Sequence, residues 1–171
     1  MPLSPDDLFA QFDALGIRTT TVRHPPLFTV EQSKVLRGEL PGGHTKNLFL
    51  KDKKDRMWLV TAEEDRGIDL KALGGVLGAQ SRVSSGSPDR LMRYLGVEPG
   101  AVTPFGLAND TEKQVSFVLD EGLMRHGVLN FHPLTNAATT AIARADFLRF
   151  LDAIGHPPRL LALPARAPAP Q

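Results

Sequence analysis

The sequence predicts a single mixed α/β domain built around a curved sheet with helices against it. Three observations predict it. Short β-branched or apolar runs of strand length alternate with amphipathic segments of helical period. Ser-Pro-Asp helix starts occur twice, at Ser4 and Ser87. The 171 residues, 42% of them hydrophobic and 23% charged, suit one domain with one core.

The elements follow in order. Ser4 caps a helix that opens with Pro5, Asp6 and Asp7, carries Leu8, Phe9, Phe12 and Leu15 at helical spacing, and stops at Gly16. TTTVRH, from Thr19 to His24, is β-branched and reads as a strand closed by Pro25-Pro26. Thr29 to Leu36 is a short helix candidate. NLFLKDKKDRMWLVTA places apolar runs on both sides of a charged stretch, so Lys46 to Ala62 reads as a hairpin with a solvated tip. Asp69 to Leu77 is helical and ends in glycine; Ser87 to Leu95 is helical and ends at Gly96. Pro99 to Asp110 is a loop rich in Pro, Gly and Asn. Gln114 to Asp120, Val128 to Phe131 and Thr139 to Ile142 read as strands, and Ala145 to Ile154 as a closing amphipathic helix. The domain is expected over 1–163, with 164–171 a Pro/Ala tail without fixed structure.

Composition excludes several classes. A formal net charge of +1 supplies no strong basic field, which argues against tight nonspecific nucleic-acid binding. The absence of cysteine removes disulfides, thiolate nucleophiles and Cys-ligated zinc, and suits a cytoplasmic protein. The amino terminus has early acids and no long apolar run, so no signal peptide is expected, and no stretch approaches the roughly 20 apolar residues of a membrane helix. The five histidines have neither the i,i+4 spacing of a zinc helix nor an HxE motif, and there is no G-x-S-x-G elbow. No metal or cofactor is expected. The acids of AEEDRGID read as a solvated loop with an N-cap.

GELPGGHTKNLFL resembles a phosphate-binding loop only at a glance. Gly38 and Gly43 have the right separation, but His44 stands where that motif has lysine, Thr45 and Lys46 are reversed, and a strand follows where a helix should. Lys46 then has two readings. It is a polar strand start, or an ammonium at the edge of an apolar pocket that binds a phosphate or stabilises an oxyanion. TPFGL and NFHP each set an aromatic and a small or polar residue beside proline, which is pocket-wall or plain turn chemistry.

HPPLFTVEQS, GGHTKNLFLKDKK, LVTAEEDRGIDLKAL, RVSSGSPDRLMRYLGVEPGAVTPFGLAND, VLD and LNFHPLTNAATTAI, in that order, resemble the YbaK/ProX superfamily. These are free-standing trans-editing aminoacyl-tRNA deacylases related to the editing insertion of bacterial prolyl-tRNA synthetase. The resemblance covers about Phe9 to His156 and is closest to the ProX branch, whose members remove alanine from proline tRNA. It implies a mixed sheet wrapped into a partial barrel. It implies that Lys46 is the signature lysine and that Asn47 is a contact beside it. Phe105, Gly106 and Leu107 would form the glycine-containing pocket loop, with backbone amides facing the ester carbonyl. Arg82 and His132 would lie near the bound aminoacyl-adenosine. Ser84-Ser85 stands where many relatives have a serine and an aromatic, which alters one wall. The implied partners are a mischarged tRNA and, behind it, a prolyl-tRNA synthetase, with no membrane or DNA. The alternatives are a cysteinyl-tRNA deacylase of the same fold and a non-catalytic module that binds a tRNA end.

Overall fold

The computed structural model describes residues 1–26 and 40–166. The helix expected over Thr29–Leu36 lies outside them, as do the last five residues of the tail.

Eight strands form one open mixed sheet in the order β1-β7-β6-β2-β3-β5-β8, with β4 set against β2. The strands are β1 (Thr19–Arg23), β2 (Gly43–Lys51), β3 (Met57–Glu63), β4 (Ser84–Ser85), β5 (Val115–Asp120), β6 (Val128–Phe131), β7 (Ala138–Ala143) and β8 (Arg159–Leu161). The helices are α1 (Pro5–Ala14), α2 (Leu70–Leu77), α3 (Pro88–Leu95) and α4 (Arg144–Ala153). Two 3₁₀ helices span Pro104–Asn109 and Glu121–Arg125.

The local signals act as read. Ser4 and Asp7 form a reciprocal capping box, the Asp7 N–H donating to Ser4 Oγ at 3.1 Å and the Ser4 N–H to Asp7 Oδ2 at 2.9 Å. Asp69 and Ser87 cap α2 and α3, and both helices end on glycine in the left-handed region, Gly78 at φ 77° and Gly96 at φ 68°. Four elements depart from the sequence reading. Ser84–Ser85, for which no strand was read, is a strand; 104–109, read as loop, is a 3₁₀ helix; and neither β8 nor the 3₁₀ helix at Glu121–Arg125 was expected. All four are too short to carry a clear period. The hairpin tip is exposed over 53–56 as read, and only Asp52 departs. Asp52 is buried, and its carboxylate accepts N–H bonds from Lys54, Arg56 and Gln80 at 2.9–3.0 Å. Burial raises its pKa, but these bonds outweigh that and hold it below the usual carboxylate range.

The sheet is covered on both faces, which is why β3 is buried along MWLVTA. One face carries Phe49, Leu59, Phe117, Leu119 and Phe131 against α1, α3 and α4. Phe105 sits at the centre of that core, edge-on to Phe12, Phe131, Phe147 and Phe150 with ring centroids 5.2–6.2 Å away. The other face carries Leu50, Trp58, Val60, Ala62 and Val118 under α2.

Candidate functional site

The site grows from an interruption in sheet pairing. The Glu64 N–H donates to the His44 carbonyl at 2.9 Å, and the Asp52 N–H to the Arg56 carbonyl at 3.0 Å. Even-numbered residues of β2 therefore turn their peptide groups toward β3, and odd-numbered ones turn theirs to the other edge. On that other edge β6 pairs with Gly43 and His44, and β4 pairs with Leu50 and Lys51. Among the described residues no strand lies opposite Asn47 between them. Its main-chain groups face the gap.

Neighbouring residues of a strand project to opposite faces. Asn47 shares a face with Phe49, and Lys46 shares the other with Leu48 and Leu50. A cleft of about 300 Å³ opens on the Asn47 side, lined by Asn47, Phe49, Ser85, Leu91, Gly100 and Val102 among others. The Thr61 hydroxyl donates to Asn47 Oδ1 at 2.5 Å, which fixes the amide and leaves its NH₂ as the remaining donor.

On the other face the half-buried Lys46 donates from Nζ to the Arg66 carbonyl. Burial pushes the Lys46 pKa below the usual lysine value, and Arg166 and Arg66 push the same way against Asp65 and Glu64. Arg66 is itself anchored, its Nε 3.3 Å from the buried Asp120 Oδ2 and its Nη2 donating to the Leu163 carbonyl at 2.6 Å.

His132 directly follows β6, and the parallel register, Gly43 with Leu129 and His44 with Asn130, brings it level with Lys46. Its Nδ1 bonds the Ala138 carbonyl at 3.1 Å. A carbonyl only accepts, so Nδ1 carries the proton and the neutral ring keeps a lone pair on Nε2. Burial lowers its pKa; the Ala138 carbonyl and Glu64 oppose this, while His24 adds to it. Glu64 thus acts on both Lys46 and His132.

The structure brings Lys46, Asn47 and His132 to one stretch of β2 and β6. It does not bring the other expected residues there. Phe105, Gly106 and Leu107 are buried in the main core. The Phe105 N–H donates to Thr103 Oγ1 at 3.2 Å and the Gly106 N–H to the Thr103 carbonyl at 3.1 Å. These amides are committed within the 3₁₀ turn, so the expectation that they face an ester carbonyl is not met. From that loop it is Gly100 that lines the cleft, and Gly86 lines it from beside β4. Arg82 is exposed and precedes β4, where Ser84 pairs with Lys51, five residues along β2 from Lys46 or about 17 Å. Ser85 does line the cleft. Sequence reasoning missed Glu64, Arg66 and Arg166. The hairpin register held the signal for the first two, because pairing Lys46 with Ala62 sets the AEEDRG loop beside the lysine.

Comparison with known proteins places the chain in a family. Residues 24–150 match the family model described as the aminoacyl-tRNA editing domain. The prolyl-tRNA synthetase associated domain-containing protein 1 of Mus musculus is 42% identical over 91% of this chain and 94% of its own length. The prolyl-tRNA editing protein ProX of Acetoanaerobium sticklandii is 37% identical over 87% of this chain and 91% of its own. A solved structure assigned as a candidate trans-editing enzyme for prolyl-tRNA synthetase superposes with a TM-score of 0.67 at 20% identity, covering 95% of this chain and 98% of that one. At that identity it supports the fold alone.

Proposed function

The chain belongs to the aminoacyl-tRNA editing domain family, and on that premise we propose that it hydrolyses the ester of mischarged tRNA, with alanyl-tRNA(Pro) as substrate. The observation that carries the reading is the open edge of β2, which offers Lys46 on one face and Asn47 on the other to one inserted chain end.

In this reading the terminal adenosine and its aminoacyl group enter the gap. The Lys46 ammonium holds the terminus electrostatically, exchanging the Arg66 carbonyl for a substrate oxygen. The Asn47 NH₂ donates to the ester carbonyl, where negative charge develops. His132 is kept neutral by burial and offers Nε2 as an acceptor to the substrate or a water. A water oxygen attacks the carbonyl carbon. The bond from that carbon to the ribose oxygen breaks, and the ribose oxygen takes a proton from the water. The products are the free amino acid and a free ribose hydroxyl. The neighbouring ribose hydroxyl orients the water, because an activated ester needs placement more than a strong base. Discrimination by size falls to the cleft walls, since one methylene of favourable contact is worth only about 1–3 kcal/mol.

The test is hydrolysis of alanyl-, prolyl- and cysteinyl-tRNA(Pro) by the wild-type and Lys46→Ala proteins. Selective loss of the alanyl ester, reduced at least about a hundredfold in the variant, is the expected result. Selective loss of the cysteinyl ester moves the substrate. Stability of all three esters leaves a binding module.

A further inference from the structure

The described carboxyl-terminal residues fold back across the loop that supports Lys46. Leu163 is buried, and its carbonyl takes Arg66 Nη2 at 2.6 Å. The Pro164 carbonyl accepts the Asp69 N–H at 2.8 Å, Ala165 bridges Ile68, and the Arg166 N–H donates to the Gly67 carbonyl at 3.1 Å. The segment expected to lack structure therefore begins as a strap over residues 66–69. It packs closely: a Cβ on Gly67 would stand 3.2 Å from the Arg166 Cβ. The carbonyl that holds the Lys46 ammonium belongs to Arg66, one residue before the one that binds the Arg166 backbone. The strap thus sets Arg166 beside Lys46.

Arg166 is exposed. Among the described residues no carboxylate lies within ion-pair distance of its guanidinium. Arg66, by contrast, is anchored to Asp120. Asp65 and Glu64 offset part of the positive charge at Lys46, but the Arg166 guanidinium, with no carboxylate within ion-pair distance among the described residues, is open to an anion from outside. The proposed substrate brings such anions close to its reacting end. Its internucleotide phosphates are negative and suit a guanidinium fork.

We propose that Arg166 is a substrate-binding residue that takes the phosphodiester preceding the terminal adenosine, while Lys46 holds the adenosine end itself. The assignment rests on the function proposed above. It lies outside the stretch matched by the family model, which ends at residue 150.

Two substrates separate the possibilities: alanyl-tRNA(Pro), and alanyl-adenosine, which has the same ester and no phosphodiester. Arg166→Ala is expected to lose about tenfold more kcat/KM on the tRNA than on alanyl-adenosine, through KM. The slope of log(kcat/KM) against log salt on the tRNA should become shallower by about 0.7, the share of one single-stranded phosphate contact. Arg166→Lys should recover part of both. Equal losses on the two esters with an unmoved salt slope would mean that Arg166 acts through the loop or Lys46, and would overturn the assignment. No loss on either overturns it as well. If the wild-type protein hydrolyses neither ester, the proposed function fails first and this inference falls with it, so the two failures read differently.

Discussion

Lys46–Asn47 and Phe105–Leu107 carry similar lettering, polar or small groups beside apolar ones, yet they occupy opposite environments. The first pair lies at an open sheet edge with one residue on each face. The second stretch sits at the middle of the larger core, fully buried. Lettering alone does not separate them, because glycine and an aromatic beside proline serve a pocket wall and a tight core turn equally well. What separates them is unmet demand. Lys46 is an ammonium half out of water whose protein partner is a loop carbonyl. Gly106 has its N–H taken and Leu95 pressed against it.

The sharpest way to break this contrast is to exchange expectations between Lys46 and Phe105. Lys46→Ala should reduce deacylation by about two to three orders of magnitude and move the thermal midpoint by no more than about 2 °C. Phe105→Ala should do the reverse. It removes a ring that touches four others edge-on and should cost about 3–5 kcal/mol in denaturant unfolding. A stable, inactive Phe105→Ala protein would return the 3₁₀ helix to the site.

Gly106→Ala sharpens the same point at smaller scale. Its Cβ would stand 2.7 Å from the Leu95 carbonyl oxygen, which is backbone and cannot swing away. A loss of about 1–3 kcal/mol is expected, with the folded fraction keeping its kcat/KM. A variant of full stability whose KM has risen would make Gly106 a pocket residue after all.

These contrasts show what was legible and what was not. Capped helices and the long hairpin were readable because each rests on chemistry within a few residues: Ser4 with Asp7, Asp69, Ser87 with Gly96, and apolar runs around a charged tip. Lys46 was readable as an anomaly because four polar residues precede LFL. Asn47 and a wall at Ser84-Ser85 were named through the family resemblance, but the shape of the pocket was not readable, because Ser85 reaches β2 through a pairing two residues long and without a period, and Gly100 lines the cleft from a loop. Arg166 was hidden for a different reason. A Pro/Ala tail has no pattern of its own, and its order comes from carbonyl and amide partners on a distant loop.

Thr61 tests whether Asn47 needs its orientation. Thr61→Val removes the hydroxyl that donates to Asn47 Oδ1 and keeps the shape of the buried side chain. We expect kcat/KM to fall about tenfold or less, with Thr61→Ser restoring it. A purely packing role would show no rescue by serine, since serine restores the hydroxyl and not the methyl.

The smallest effect separates two histidines. Burial holds both His132 and His156 below the ordinary histidine value of 6.5. His132 faces His24 and Glu64; His156 faces Asp110, with Nε2 3.1 Å from Oδ2, and Lys113. A depressed folded pKa means that the unfolded chain binds the proton first, so this stability is present above pH 6.5 and is lost as pH falls through the lower folded value. Unfolding free energy plotted against pH should rise with pH across that window. Replacing either histidine with glutamine should flatten the slope by up to about one proton. Only His132→Gln should also change deacylation, because His156 lies in the core and His132 lies level with Lys46. If His156→Gln altered turnover as much, the division between site and core drawn from Lys46 and Phe105 would not extend to the titrating groups.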